Sequence, residues 1–93
     1  MANKQRVHIL VSGRVQGVFF RDFTRQQASG FGLTGWVKNM LEGKVEIVAE
    51  GDKDKLLQLI EAVKVGPSSA NVKDCKIEWS EFSGEFKDFK IIY

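Results

Sequence analysis

The sequence has one cysteine, one proline and one histidine among its 93 residues. A lone Cys75 has no partner for an intramolecular disulfide and no second thiol with which to share a metal. Lying between apolar positions of a strand-like stretch, it reads as a packed thiol. With His8 the sole histidine, neither a multi-histidine metal site nor a histidine-based triad is available, and its place on the polar side of the first strand pattern suits an ordinary sheet residue. The serines stand in no nucleophile-elbow context. No apolar run approaches a signal-peptide core or a membrane span, and the polar start, Met1 to Arg6, leads straight into a strand pattern, so the cytoplasm is the expected compartment. Charge of one sign is also scarce in excess: fourteen Lys and Arg face twelve Asp and Glu, a net +2 that calls for neither nucleic acid nor a membrane surface. Repeats, linkers and low-complexity segments are missing too.

What the chain does have is a core. Hydrophobic residues make up 43% of it, and seven Phe, two Trp and one Tyr exclude disorder. The length fits a single domain over residues 1–93, which buries about 60–65% of the surface of its unfolded chain. Val7, Ile9 and Val11 alternate with His8, Leu10 and Ser12 in a first strand that ends at Gly13. Gly13 to Phe20 carries two glycines and no strong period, and reads as a loop. Phe20, Phe23 or Thr24, Gln27, Ala28 and Phe31 recur at helical spacing, which predicts a helix from Arg21 to Gly30. Leu33 to Asn39 and Lys44 to Glu50 alternate on either side of a Gly-containing hairpin connection. Gly51-Asp52 reads as the cap of a second helix that presents Leu56, Leu59, Ile60 and Val63 and stops before Gly66-Pro67. Val72 to Trp79 and Phe89 to Tyr93 complete a β-α-β-β-α-β order with an extra strand at the end. The pattern predicts a ferredoxin-like α+β sandwich, an antiparallel sheet with two helices packed on one face. Right-handed crossovers are expected to make strands 1 and 3, and strands 2 and 4, parallel neighbours.

The loop before the first helix is the most informative stretch for chemistry. A Gly-bounded loop feeding a helix N-terminus gathers unpaired backbone N–H groups, and the helix dipole favours an anion there. Gly17 permits close backbone approach. Arg21 falls in the first helical turn, where a cation opposes the dipole at a cost of about 0.3–1 kcal/mol; an anion between its guanidinium and the N–H groups would offset that cost. The alternative is that the glycines merely turn the chain and Arg21 is solvated. The loop has no Lys-Ser or Lys-Thr after it, so it is no nucleotide-binding loop of the usual kind. Asn39, ending the second strand, can either serve as a turn residue or hold and aim a water molecule. Most carboxylates fall where they would be solvated, on the outer strand face and the second helix.

The strings Gly13-Arg14-Val15-Gln16-Gly17-Val18-Phe19-Phe20-Arg21 and Gly35-Trp36-Val37-Lys38-Asn39 resemble the two signature segments of the acylphosphatases. The resemblance continues through Glu42-Gly43-Lys44-Val45-Glu46, Gly66-Pro67 and the closing Phe89-Lys90-Ile91-Ile92-Tyr93, so it spans nearly the whole chain. It implies the ferredoxin-like fold and the hydrolysis of acyl phosphates to carboxylate and inorganic phosphate, with no metal and no organic cofactor. By the same resemblance Arg21 binds the phosphate, the loop amides of Gln16, Gly17, Val18, Phe19 and Phe20 cradle it, and Asn39 orients the attacking water. A small-molecule acyl phosphate is then the substrate of a monomer, with inorganic phosphate as product and no part for nucleic acid or membrane. Many relatives carry a basic residue near the end of the last strand, where this chain has Ile92 and Tyr93; the change touches the surroundings of the loop and leaves Arg21 and Asn39 intact.

Three other functions are open to a chain with this pattern. RNA-recognition domains share the topology but stack bases on aromatics of the central strands, whereas Lys44 to Glu50 has no aromatic and two glutamates; only Trp36 and Trp79 could form an exposed patch. A catalytically silent anion-binding or interaction module is the second, and the presence of both Arg21 and Asn39 speaks against it. A domain of a larger enzyme is the third, disfavoured by the short chain.

Overall fold

Alternating apolar positions need a partner layer, and the two amphipathic helices provide it. The computed structural model describes residues 3–93; Met1 and Ala2, which begin the polar N-terminal segment, lie outside the described residues. The elements are β1 (Lys4–Arg14), α1 (Phe20–Gly30), β2 (Thr34–Asn39), a short 3-10 turn (Leu41–Gly43), β3 (Val45–Asp52), α2 (Lys53–Val65), β4 (Asn71–Glu81) and β5 (Phe89–Ile92). Val7, Ile9 and Val11 of β1, Val37 of β2 and Val45, Ile47 and Ala49 of β3 are fully buried against Ala28 of α1 and Leu56, Leu59 and Val63 of α2. Each large side chain so buried contributes about 1.5–3 kcal/mol relative to exposure. On α1 the buried face runs through Phe20, Thr24 and Ala28, so the choice between Phe23 and Thr24 falls to Thr24, whose hydroxyl is satisfied by the Phe20 carbonyl at 2.9 Å.

The strand order is β4-β1-β3-β2-β5. Two expectations about it need correction. Strands 1 and 3 are neighbours but antiparallel, and strands 2 and 4 are not neighbours at all. The reason is that each helix crossover joins β1 to β2 and β3 to β4. The hairpin between β2 and β3 then reverses the chain and slots β3 between β1 and β2. The sheet is also mixed, because β5 pairs parallel to β2 while the other three pairings are antiparallel. The ferredoxin-like α+β arrangement itself is as expected.

β1 runs further than its alternation suggests, through Gly13 and Arg14, because a bulge after Ser12 lets it stay paired with β4. Gly13 takes φ +122, and a Cβ there would run into the Asn71 carbonyl oxygen. The bulge bends the strand as it feeds the loop. Asn39 and Val11 both lie opposite Val45, and Ile92 lies beside Lys38. The loop after β1, the end of β2 and the end of β5 therefore meet at one edge of the sheet.

The other end is closed differently. Glu50, expected to be solvated with the remaining carboxylates, is fully buried, because the segment after β4 folds across it. Its carboxylate accepts the Ser83 N–H at 2.9 Å, the Ser83 hydroxyl at 2.7 Å, the Gly84 N–H at 3.0 Å and a long contact from Arg6 at 3.4 Å. The two tryptophans do not share a patch. Trp79 lies opposite Val7 on the helix side of the sheet and Trp36 on the other side, beside Val48.

Candidate active site

Three side chains pin the loop between β1 and α1. Val15, Val18 and Phe20 are buried in the core. Between these anchors Gly17 takes φ +70 with open space around it, so its glycine answers to conformation and not to crowding. Phe19 also lies in the left-handed region, at φ 61 and ψ 22. A left-handed residue leading into a helical one turns successive N–H groups toward one point, the arrangement of an anion-binding nest. Phe19 occupies the N-cap of α1 and no side chain caps that terminus. The first-turn N–H groups and the positive end of the helix dipole thus face the concavity outside it.

That concavity is a pocket of about 350 Å³ bordered by Gly17, Phe19, Arg21, Asp22, Asn39 and Tyr93, among others. Arg21 lies in the first turn of α1, as expected, one residue after the helix begins at Phe20, and its guanidinium carbon lies 5.0 Å from the centre of the Tyr93 ring. Among the described residues no carboxylate pairs with Arg21. The neighbouring Asp22 is turned back along the helix, where it accepts from Arg25 at 2.9 Å and Gln26 at 3.0 Å. Asn39 ends β2, and its Oδ1 is buried without a hydrogen-bond partner. A buried acceptor left alone costs about 1–3 kcal/mol, so this oxygen is free to accept a hydrogen bond from a ligand or a water.

Of the residues singled out from the sequence, Gly17, Phe19, Phe20, Arg21 and Asn39 border this pocket. Gln16 and Val18 do not. The Val18 side chain is an anchor in the core, and its carbonyl accepts the Ser69 hydroxyl at 2.9 Å. The Gln16 side chain turns toward the β2–β3 hairpin and donates to the Met40 and Lys44 carbonyls at 2.7 and 2.8 Å. It joins the loop to the hairpin that carries Asn39. Sequence reasoning missed this bridge, Ser69, and the placement of Tyr93 over Arg21; all three depend on pairings distant in sequence, which leave no local signal. His8 is a sheet residue on the other face, bonded to Glu46 at 2.6 Å. Half-buried Cys75 packs against the core, and burial pushes its thiol above the usual range. No group of three or more His, Cys, Asp or Glu able to hold a metal occurs among the described residues.

The fold is shared with known proteins. The acylphosphatase family profile matches residues 7–91. The chain is 49% identical over 88 residues to an acylphosphatase of Pyrobaculum calidifontis, an alignment covering 94% of this chain and 80% of that protein. It is 44% identical over 91 residues to an acylphosphatase of Pelotomaculum thermopropionicum, covering 98% and 99%. The fold matches the crystal structure of acylphosphatase from Bacillus subtilis with a TM-score of 0.92 and 42% identity, over 96% of this chain and 99% of that one. The chain belongs to the acylphosphatase family. It is a hydrolase, and acyl phosphates are its class of substrate. Neither helix is long and apolar enough to cross a membrane.

Proposed function

We propose that the chain hydrolyses acyl phosphates by direct attack of water on phosphorus, with Arg21 and the loop amides of residues 16–20 binding the phosphoryl group and Asn39 orienting the water. The observation that carries this reading is the meeting, in one pocket, of an uncapped helix N-terminus, Arg21 and the orphaned Oδ1 of Asn39. The water oxygen forms a bond to phosphorus as the bond from phosphorus to the acyl oxygen breaks. One water proton passes to a phosphoryl oxygen, and the products are a carboxylate and dihydrogen phosphate. The carboxylate is a good leaving group, so the demand on the protein is positioning and charge stabilisation. Preorganised donors aimed at developing negative charge contribute about 2.7–4 kcal/mol each in comparable sites. Asn39 accepts from the water through Oδ1 and cannot remove a proton at neutral pH. The same reading takes residues 1–93 as one domain, a cytoplasmic monomer that needs neither metal nor organic cofactor.

The test is hydrolysis of benzoyl phosphate in ¹⁸O-water with EDTA present. Turnover that resists EDTA and places the label in phosphate supports the reading; label in benzoate means attack at the carbonyl carbon and refutes it. Arg21→Ala should lose turnover and weaken inhibition by inorganic phosphate while the fold survives. Asn39→Ala should cut turnover with phosphate affinity near normal; a collapse of phosphate affinity in that variant would show that Asn39 binds phosphate and does not place water.

A further inference from the structure

Phe19 is placed at a double cost. The residue is 81% exposed, and its backbone holds the left-handed conformation that disfavours any residue with a Cβ. The fold makes no use of the side chain, since the loop is anchored by its neighbours Val18 and Phe20 and the core closes without it. Asn or Gly would sit at φ 61 with less strain and no apolar exposure. Phe19 borders the pocket that holds Arg21 and Asn39. Other exposed apolar groups gather at the same end of the molecule. Tyr93 borders the pocket and is 96% exposed, and Met40 and Leu41 follow Asn39 directly, with Leu41 91% exposed. The site is thus a small polar anion cradle bordered by the apolar surfaces of Phe19, Ile91 and Tyr93, and its complement is a molecule with a compact anion at one end and an apolar body at the other.

Resting on the reading that the phosphoryl group binds at the α1 N-terminus, we infer that Phe19 determines specificity for the acyl group, its ring packing against apolar and above all aromatic acyl substituents. A phosphoryl group held at the loop amides carries its acyl substituent to the rim where this ring stands. Offset or edge-to-face packing of two rings then favours aryl over short alkyl acyl phosphates. Binding of the phosphoryl group itself does not involve the ring, so Phe19 acts on the difference between substrates.

The experiment compares kcat/KM for benzoyl phosphate and acetyl phosphate in the parent, Phe19→Asn and Phe19→Trp proteins, with inhibition by inorganic phosphate measured alongside. Asn accepts the left-handed conformation, so this variant folds, and Trp keeps an aromatic face. The benzoyl-to-acetyl ratio should fall roughly three- to tenfold in Phe19→Asn, mainly through KM for benzoyl phosphate, and return to the parent value or above it in Phe19→Trp. If both substrates lose activity in proportion, or the ratio stays put in Phe19→Asn, the ring serves only the loop and the inference is overturned. Failure of the parent to turn over either substrate would instead overturn the hydrolytic reading on which it rests.

Discussion

Replacing Glu50 by glutamine keeps the shape of the side chain and removes a charge from the middle of a buried network. The carboxylate accepts from the Ser83 amide and hydroxyl on Oε2 and from the Gly84 amide on Oε1. A glutamine has one acceptor oxygen. Set toward Ser83, it leaves its NH₂ facing the Gly84 N–H, donor against donor. The two surviving bonds fall from the charge-assisted range of about 1.5–3 kcal/mol to the neutral range of about 0.5–1.5, and the orphaned Gly84 donor costs about 1–3 kcal/mol. Against this, the variant avoids the cost of burying a charge, which is several kcal/mol in real proteins. Arg6 adds little, because it lies 3.4 Å from Glu50, is partly exposed and also pairs with the exposed Glu85. The gross loss is about 3–6 kcal/mol and the avoided burial several. Since the donors hold the carboxyl below its ordinary value, the net expectation is a loss of up to about 3 kcal/mol at neutral pH, beside a total of about 5–15. The pH dependence has a definite sign. Burial pushes the Glu50 carboxyl up, but the Ser83 hydroxyl, the Ser83 and Gly84 amides and Arg6 more than offset it and hold it below the ordinary carboxylate value. Stability from a lowered carboxyl is full above its unfolded-state pKa and is lost as pH falls through the folded-state pKa. Urea unfolding of both proteins by circular dichroism should therefore show a gap at pH 7 that narrows under acid conditions. Equal gaps at both pH values, or no gap at all, would refute the reasoning. Activity should not change, since Glu50 lies opposite Thr34 and Asn39 opposite Val45, five residues and about 16 Å apart along β3.

Two further outcomes follow from the site and its surroundings. Gln16→Ala removes both bonds from the loop to the Met40 and Lys44 carbonyls. It should cost about 1–3 kcal/mol in thermal or urea unfolding and lower kcat by freeing the hairpin that carries Asn39; full kcat in a destabilised variant would show that loop and hairpin are not coupled. At Cys75, burial pushes the thiol up, opposed by Lys64 and aided by Asp74. Alkylation by iodoacetamide, followed by mass spectrometry, should be slower than for an unfolded control and rise with pH at a higher midpoint; equal rates would contradict the packed thiol.

The sequence was most legible where one interaction dominates. Val7, Ile9 and Val11, or Leu56, Leu59, Ile60 and Val63, are placed by a single demand, burial of one face, and their period survives intact in the fold. The loop-to-helix geometry was legible for a related reason: a left-handed backbone before an uncapped helix calls for glycine, and Gly17 stands there. Pairing directions were less legible because they depend on which strand a hairpin slots between two others, a property of the whole sheet. Glu50 shows the same limit. Its alternation assigns it to the outer face correctly, yet whether that face meets water depends on Ser83 and Gly84, more than thirty residues away.

The two ends of the sheet apply the same chemistry with opposite results. At one end a carboxylate that would be costly to bury meets three close donors from the segment folded over it. At the other, an amide oxygen is buried with no partner, a helix starts without a cap, and a phenylalanine holds a left-handed backbone with its ring in solvent. A chain able to satisfy Glu50 so fully is not short of means to satisfy Asn39. The unsatisfied groups also converge, since Asn39, the uncapped terminus and Phe19 border one pocket. Random imperfections of packing would scatter over the molecule. On the proposed reading, stability withheld at one place, and supplied by Gln16 and Ser69 immediately behind it, is what a site requires when its donors and acceptors must stay aimed at a substrate instead of at each other.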